Sequence, residues 1–283
     1  MDVAVFQKGG VPLFRPLLLL PLVVALAGCD VSLGNLSAHA TDEWTHTYPL
    51  TPAGEIRIIN TNGRIDVEGV DGSTVEVKAE RIARGATDAA ARELLPRIVI
   101  KEDVKPDRIT IETERISGIM IGAGFEVRYH VRAPKGALVN ATNTNGQVAV
   151  NAISGKVVAH TTNGAVKGTN LTGGVNGETT NGSVTLMLPE KAKATVSASV
   201  TNGGINVGSL DNFEVTEKAR RRLEGKMNGG GTEVELHTTN GSIRLRSRDT
   251  VNTRTDSDAD KPDKTEKELK ELKDGTDKKD QER

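Results

Sequence analysis

Aromatic side chains are almost missing: one tryptophan, two tyrosines and four phenylalanines serve 283 residues. No core can then be organised around large rings, and the interior falls to Val, Ile, Leu and Ala, whose β-branched members suit thin strand layers. Cysteine is limited to Cys29, which excludes an internal disulfide framework. Net charge is scarce too, at −1, so no long-range field draws the chain toward a polyanion, and nucleic acid is set aside as a partner. Phosphate loops and nucleophile elbows are missing, and no cofactor is implied. The longest apolar run, Pro16 to Ala27, is too short to cross a bilayer comfortably.

That run lies behind Lys8 and Arg15 and ends in Leu26-Ala27-Gly28-Cys29. Positive flank, short apolar core and small residues before a cysteine read as a secretory signal. The last four residues resemble the bacterial lipobox. That resemblance implies cleavage before Cys29, diacylglycerol on its thiol and acylation of the new amine, with the lipid in place of a transmembrane helix. Each buried methylene contributes about 0.8 kcal/mol, so two or three chains hold stably where one does not. The alternative is an uncleaved anchor helix with a bystander cysteine. The expected location is the cell envelope. Asp30 resembles an inner-membrane retention signal, with the outer membrane or cell surface as alternatives.

The expected organisation is signal peptide over 1–28, tether over 29–47, one strand-repeat domain over 48–248 and a disordered charged tail over 249–283. The tether reading rests on small polar residues without sustained period from Val31 to Thr47. Alternation then predicts strands at 55–59, 64–68, 74–80, 97–101, 108–112 and 125–131. One helix is expected where Thr87 caps Asp88 to Leu95 ahead of Pro96. Gly122-Ala123-Gly124 reads as a strand bulge. The tail is dominated by Asp, Glu, Lys and Arg and cannot bury enough surface to fold alone; Leu269 and Leu272 with Glu266 and Lys270 allow at most a brief helix on a partner.

From Leu138 the chain repeats itself. Asn145-Gly146, Asn163-Gly164 and Asn181-Gly182, each after a threonine, recur evenly, and Val148, Val166 and Val184 keep the same phase. Ile153 with Leu171, and Gly155 with Gly173, do likewise. Asn62-Gly63 precedes the series; Asn202-Gly203 and Asn240-Gly241 continue it at longer spacings, as coils with insertions. In-phase apolar columns predict a β-solenoid or β-roll of stacked coils, all-β but for one short inserted helix. Glycines at these corners permit unusual φ, and stacked Asn side chains can form an amide ladder. These twelve residues are expected to form a structural turn ladder. A meander of hairpins is the rival, because Asn-Gly is also a hairpin turn.

The Thr-Asn-Gly-x-Ile/Val pattern, the early helix and the closing stretch from Gly229-Gly230-Gly231 to Ile243 resemble a bacterial family of β-strand-repeat domains labelled "putative adhesins", over about Ile56 to Leu245. The resemblance implies a solenoid at the envelope and transfers no catalytic residue.

Candidate chemistry is sparse. Asp66, Glu68, Glu76 and Lys78 alternate with apolar residues as outward strand positions do. His160 and His237 both precede Thr-Thr-Asn-Gly, with Glu178 at the same repeat position. On adjacent coils about 4.8 Å apart His160 and Glu178 would pair; a metal site is the alternative. Arg220-Arg221-Arg222 is the one basic run and reads as a solvated face, with anionic headgroups or glycans as alternatives. The expected function is a lipid-anchored, non-enzymatic adhesin-like or scaffold module, bound to the membrane through Cys29 and to envelope glycan or protein through its polar face. A self-assembling structural protein, oligomeric by end stacking, and a glycan-active β-helix enzyme are the alternatives.

Overall fold

The computed structural model describes residues 38–116, 122–208, 210 and 212–247. Cys29, the signal segment and the charged tail lie outside the described residues. Among those described, strands dominate, with one short α-helix.

In chain order the elements are β1 (Ala38–Pro49), β2 (Glu55–Asn62), β3 (Ile65–Val70), β4 (Thr74–Gly85), α1 (Asp88–Leu94), β5 (Ile100–Lys105), β6 (Arg108–Thr113) and β7 (Ala123–Pro134). Then follow β8 (Leu138–Asn145), β9 (Val148–Asn151), β10 (Val157–Asn163), β11 (Val166–Thr169), β12 (Val175–Asn181) and β13 (Val184–Leu188). The last are β14 (Ala194–Val207), β15 (Phe213–Ala219), β16 (Arg222–Met227) and β17 (Thr232–Ser247).

A strand, an Asn-Gly corner and a second strand make one coil. Coils stack in parallel and in register: Val139, Val157, Val175 and Val234 form one column, and Val148, Val166, Val184 and Ile243 another. Parallel pairing excludes the meander, whose neighbouring strands would run antiparallel. Both columns point inward and are buried, so the two faces enclose one β-branched core. Each such side chain contributes about 1.5–3 kcal/mol on burial, and repetition replaces the missing rings.

Stack order departs from chain order at both ends. One face runs β5, β6, β2, β8, β10, β12, β17, β14, β16, β15; the other runs β1, β4, β7, β3, β9, β11, β13, β17, β14. The Thr201 and Thr239 copies were expected to extend the stack in sequence. Instead the final coil, β17, inserts between β12–β13 and β14. The β15–β16 hairpin runs along the outer edge of the first half of β14, so the returning chain closes against its inner edge. At the other end β6 and β7 stack outside β2 and β3, and antiparallel β5, β4 and β1 lie outermost.

Three local expectations are corrected. Ala38 to Thr47, read as tether, lie in β1, paired with β4 along its length; its inward positions include Asp42 and His46, which hide the apolar period. The strand expected from Arg97 starts at Ile100, because a 3-10 turn spans Leu95–Arg97 with Pro96 in its first turn and Ile98 drops into the core. Gly122-Ala123-Gly124 forms no bulge: β7 opens at Ala123 in unbroken register with β4. The helix forms as expected, with the Thr87 hydroxyl accepting from Ala90 N–H.

Close approach sets the corners. A Cβ built on Gly164 would overlap the carbonyl oxygen of Gly146, and one on Gly146 that of Gly63. Gly146 also holds φ at 133°. Gly164→Ala is therefore expected to cost about 2–3 kcal/mol, whereas Gly136→Ala, whose Cβ would meet open space, is expected to change stability by less than about 0.5 kcal/mol; urea unfolding of the two variants checks this.

Candidate functional site

The corner is the most regular polar feature of the molecule. Asn145 donates its amide to the Asn62 side-chain oxygen at 2.8 Å, Asn163 to Asn145 at 2.9 Å and Asn181 to Asn163 at 2.8 Å. Asn240 then donates to Asn181, and Asn202 to Asn240, each at 2.9 Å. The structure thus places six asparagines in one row, in the order 62, 145, 163, 181, 240, 202, with their glycines beside them. An asparagine amide has two N–H donors and a carbonyl with two lone pairs. The ladder uses one of each, so an inner member keeps one N–H and one lone pair for solvent or ligand.

A second column lies directly inside the first, at a position unnoticed in the sequence. Thr161, Thr179 and Thr238 are fully buried and donate their hydroxyls to the carbonyls of Gly146, Gly164 and Gly182 at 2.9–3.0 Å. Asn143 does the same to Gly63 at 2.6 Å. At the near end Asn60 donates to Val127 O at 2.9 Å and accepts from Thr113 at 2.9 Å, and Thr113 meets the Tyr129 hydroxyl at 2.8 Å. Burial pushes that phenol well above its ordinary pKa, so it stays neutral. The missed signal is a polar residue two before five of the six corner asparagines, in an inward-facing slot that Val200 fills before Asn202.

The outer faces carry the remaining candidates. His160 Nδ1 lies 3.6 Å from Glu178, while His237, on the far side of Glu178 in the same register, meets Ser199 Oγ at 2.9 Å. No three His, Cys, Asp or Glu side chains among the described residues are placed to hold a metal ion together. Asp66 receives Arg64 at 2.8 Å, Arg132 reaches Glu76 at 3.4 Å and Lys78 reaches Glu43 at 2.7 Å. Glu68 stands on β3 opposite Arg132 of β7. The four charged residues singled out on the early strands thus flank β7, with Glu68 and Glu76 on either side of Arg132 and Asp66 and Lys78 on either side of His130. Arg220 and Arg221 form the exposed tip of the β15–β16 hairpin, and Arg222 pairs with Glu224.

Where the asparagine row starts, a groove of about 650 Å³ opens beside Asn62, Arg64, Arg84, Glu126 and Asn145. Glu126 receives Arg128 at 2.7 Å and Arg84 at 2.9 Å. Burial alone would raise the Glu126 pKa, but the hydrogen bonds and charges of Arg128 and Arg84 more than offset it and hold the carboxyl below its ordinary value. At the outer edge of the same end lies a cluster without any sequence signal. Trp44 stacks on His46 with centroids 4.4 Å apart, His46 Nδ1 lies 3.1 Å from Glu102, and the Tyr48 hydroxyl donates to the same carboxylate.

Among families, the Toastrack DUF4097 model matches residues 130–246. This segment is similar to the toastrack family. The match runs from His130 in β7 to Arg246 in β17 and bears out the family resemblance drawn from the Thr-Asn-Gly repeats. Register extends the same corner to Asn62, ahead of the matched residues. Among solved structures, a "putative cell adhesion protein" from Clostridium sporogenes is similar at 14% identity and TM-score 0.48, covering 74% of this chain and 100% of its own. A "putative adhesin" from Bacteroides fragilis covers 72% of this chain and 97% of its own at 9% identity and TM-score 0.24. Among curated proteins none matches the chain. No helix among the described residues is long and apolar enough to cross a membrane.

The asparagine and threonine columns and their charged end can be tested by substitution. Thr161→Val keeps shape but removes a buried donor and is expected to cost about 1–2 kcal/mol, while the half-exposed neighbour Thr162→Val stays within about 0.5 kcal/mol; thermal or urea unfolding measures both. A carboxyl whose folded pKa is depressed stabilises above its unfolded pKa, about 4.3 for Glu, and loses that stabilisation as pH falls through the folded value. Wild type is therefore expected to exceed Glu126→Gln in urea midpoint at pH 6–7, with the gap closing below about pH 4.

Proposed function

We propose that this is a lipid-anchored envelope protein whose toastrack solenoid acts as a non-enzymatic adhesin-like or scaffold module. The observation that carries the reading is the exposed asparagine row. It repeats one donor and one acceptor per coil at about 4.8 Å, on a scaffold held rigid by the buried threonine column. Such a row suits a partner that also repeats donors and acceptors together, which is the chemistry of the hydroxyl groups of an envelope glycan. Individual contacts of this kind are weak, and several on a fixed spacing add through effective concentration. Thr144, Thr162 and Thr180 flank the row, half-exposed, and the groove at Asn62 and Arg64 ends it. Membrane attachment is assigned to acyl chains on Cys29, with the inner membrane favoured by Asp30.

Two measurements test this. In membrane fractionation, wild type is expected to partition with membranes and Cys29→Ser to be lost from them or retained only by an uncleaved leader, with the acyl mass on Cys29 read by mass spectrometry; an unmodified thiol overturns the anchoring. For binding, the full chain is titrated on immobilised peptidoglycan and envelope polysaccharide. Thr162→Glu with Thr180→Glu, which sets two charges beside the row, is expected to weaken retention at least about tenfold by loss of multivalency. Equal retention of wild type and double variant, or none by either, removes the row as a binding surface.

A further inference from the structure

The two ends of the stack are finished differently, and the difference points to a partner. A strand with one unpaired edge is a template for another strand, and proteins blunt such edges with charge, proline or bulges. Four edges at the ends of the stack are free of strand partners among the described residues. The β1 edge carries Asp42, Glu43 and Pro49, and the β5 edge carries Lys101, Glu102, Asp103 and Lys105. The β15 edge carries Glu214, Glu217 and Lys218, with a bulge between Val215 and Glu217. The fourth, the second half of β14, reads Thr201-Asn202-Gly203-Gly204-Ile205-Asn206-Val207. It has no charge, no proline and no bulge.

This edge is also aimed outward. In the inner coils Val148 and Val166 donate their N–H groups to Ala165 and Ser183 of the next coil, and Gly146, Gly164 and Gly182 do the same at the corner. Ile205 stands in the Val148–Val166–Val184–Ile243 column and Gly203 in the corner-glycine column. Beyond them no further strand of this face lies among the described residues, because the β15–β16 hairpin covers only Ala194 to Ser199 in register. Ile205 and Val207 face the core but are only partly covered. Val215 of the neighbouring hairpin is 45% exposed. An unpaired ladder and uncovered apolar side chains therefore coincide.

We infer that the edge of β14 from Gly203 to Val207 pairs antiparallel with the same edge of a second copy. An isologous contact uses one patch twice and closes as a two-fold dimer. The sequence is suited to self-pairing: with the axis near Gly204 the centre holds glycines, Asn206 faces Asn202 of the copy, and no like charges meet within the paired strands. Filaments are not expected, since head-to-tail stacking would set this edge on β1 or β5, whose charges oppose strand addition. The inference stands independently of the glycan reading.

The test uses the full chain in mild detergent and in native membranes. Sedimentation is expected to show a concentration-dependent monomer–dimer equilibrium with nothing larger. Gly204→Lys, at a position whose Cβ meets nothing within 4 Å, sets two like charges opposite each other at the axis and is expected to weaken the dimer at least about tenfold. Gly204→Cys, whose Cβ meets nothing within 4 Å, is expected to form an intermolecular disulfide on mild oxidation, whereas Gly136→Cys, equally open, is not. A strict monomer at high concentration, or a dimer that ignores Gly204→Lys while Gly204→Cys fails to cross-link, overturns the inference.

Discussion

Everything in the domain hangs on how closely one corner lies on the next. At Gly63, Gly146, Gly164, Gly182 and Gly241 the backbone of one coil occupies the space where a side chain would begin on its neighbour. Only hydrogen fits. Backbone–backbone bonds across the coils, such as Gly146 N–H to Asn163 O at 2.8 Å, then become short, and both asparagine and threonine columns fall within reach of their partners. Removing a glycine would lengthen the asparagine ladder outside and the threonine bonds inside together, because one displacement separates both. The apolar columns supply the main driving force, but without the corner they would not fix register: Val, Ile and Leu slide past one another more readily than amides that must meet.

The inner threonines explain why the corner tolerates burial. A tight turn leaves carbonyls facing inward, and an unpaired buried carbonyl costs about 1–3 kcal/mol. Hydroxyls of Thr161, Thr179 and Thr238 meet those carbonyls at 2.9–3.0 Å. At the charged end Asn60 replaces threonine, since an amide reaches farther and bonds more than one group: it donates to Asn62 O and Val127 O and accepts from Thr113. A residue type that reads as generic polarity in the sequence therefore has a position-specific role.

What the sequence revealed depended on repetition. The Asn-Gly corners and the valine columns could be assigned to coils because each recurs in phase, and a parallel stack follows from that phase. Order within the stack could not be read, because a coil's repeat pattern states membership and not neighbours; β14 and β17 carry the same corner, and only the position of the β15–β16 hairpin decides which lies inside. The inner threonine column was equally hidden, since an alternation pattern scored on apolar residues passes over Thr161 and Thr179. β1 was missed for the related reason that the face it shares with buried Tyr48 carries Asp42, Trp44 and exposed His46: Arg81 holds Asp42, Glu102 holds His46 and Tyr48, and Trp44 stacks on His46.

Growth in both directions from β2–β3 gives the domain unlike ends, and that asymmetry orders the proposed roles. Residue 38 opens β1, the outermost strand of the charged end. The uncharged β14 edge lies at the opposite end of the same stack. Under the proposed lipid anchoring, confinement of copies to one membrane would raise the effective concentration at which such edges meet. The exposed asparagine row runs between the two ends, along the direction in which the coils stack. Pairing at the far end would continue the sheet into a second body and double the number of repeats available to a partner, which is what weak contacts on a fixed spacing require.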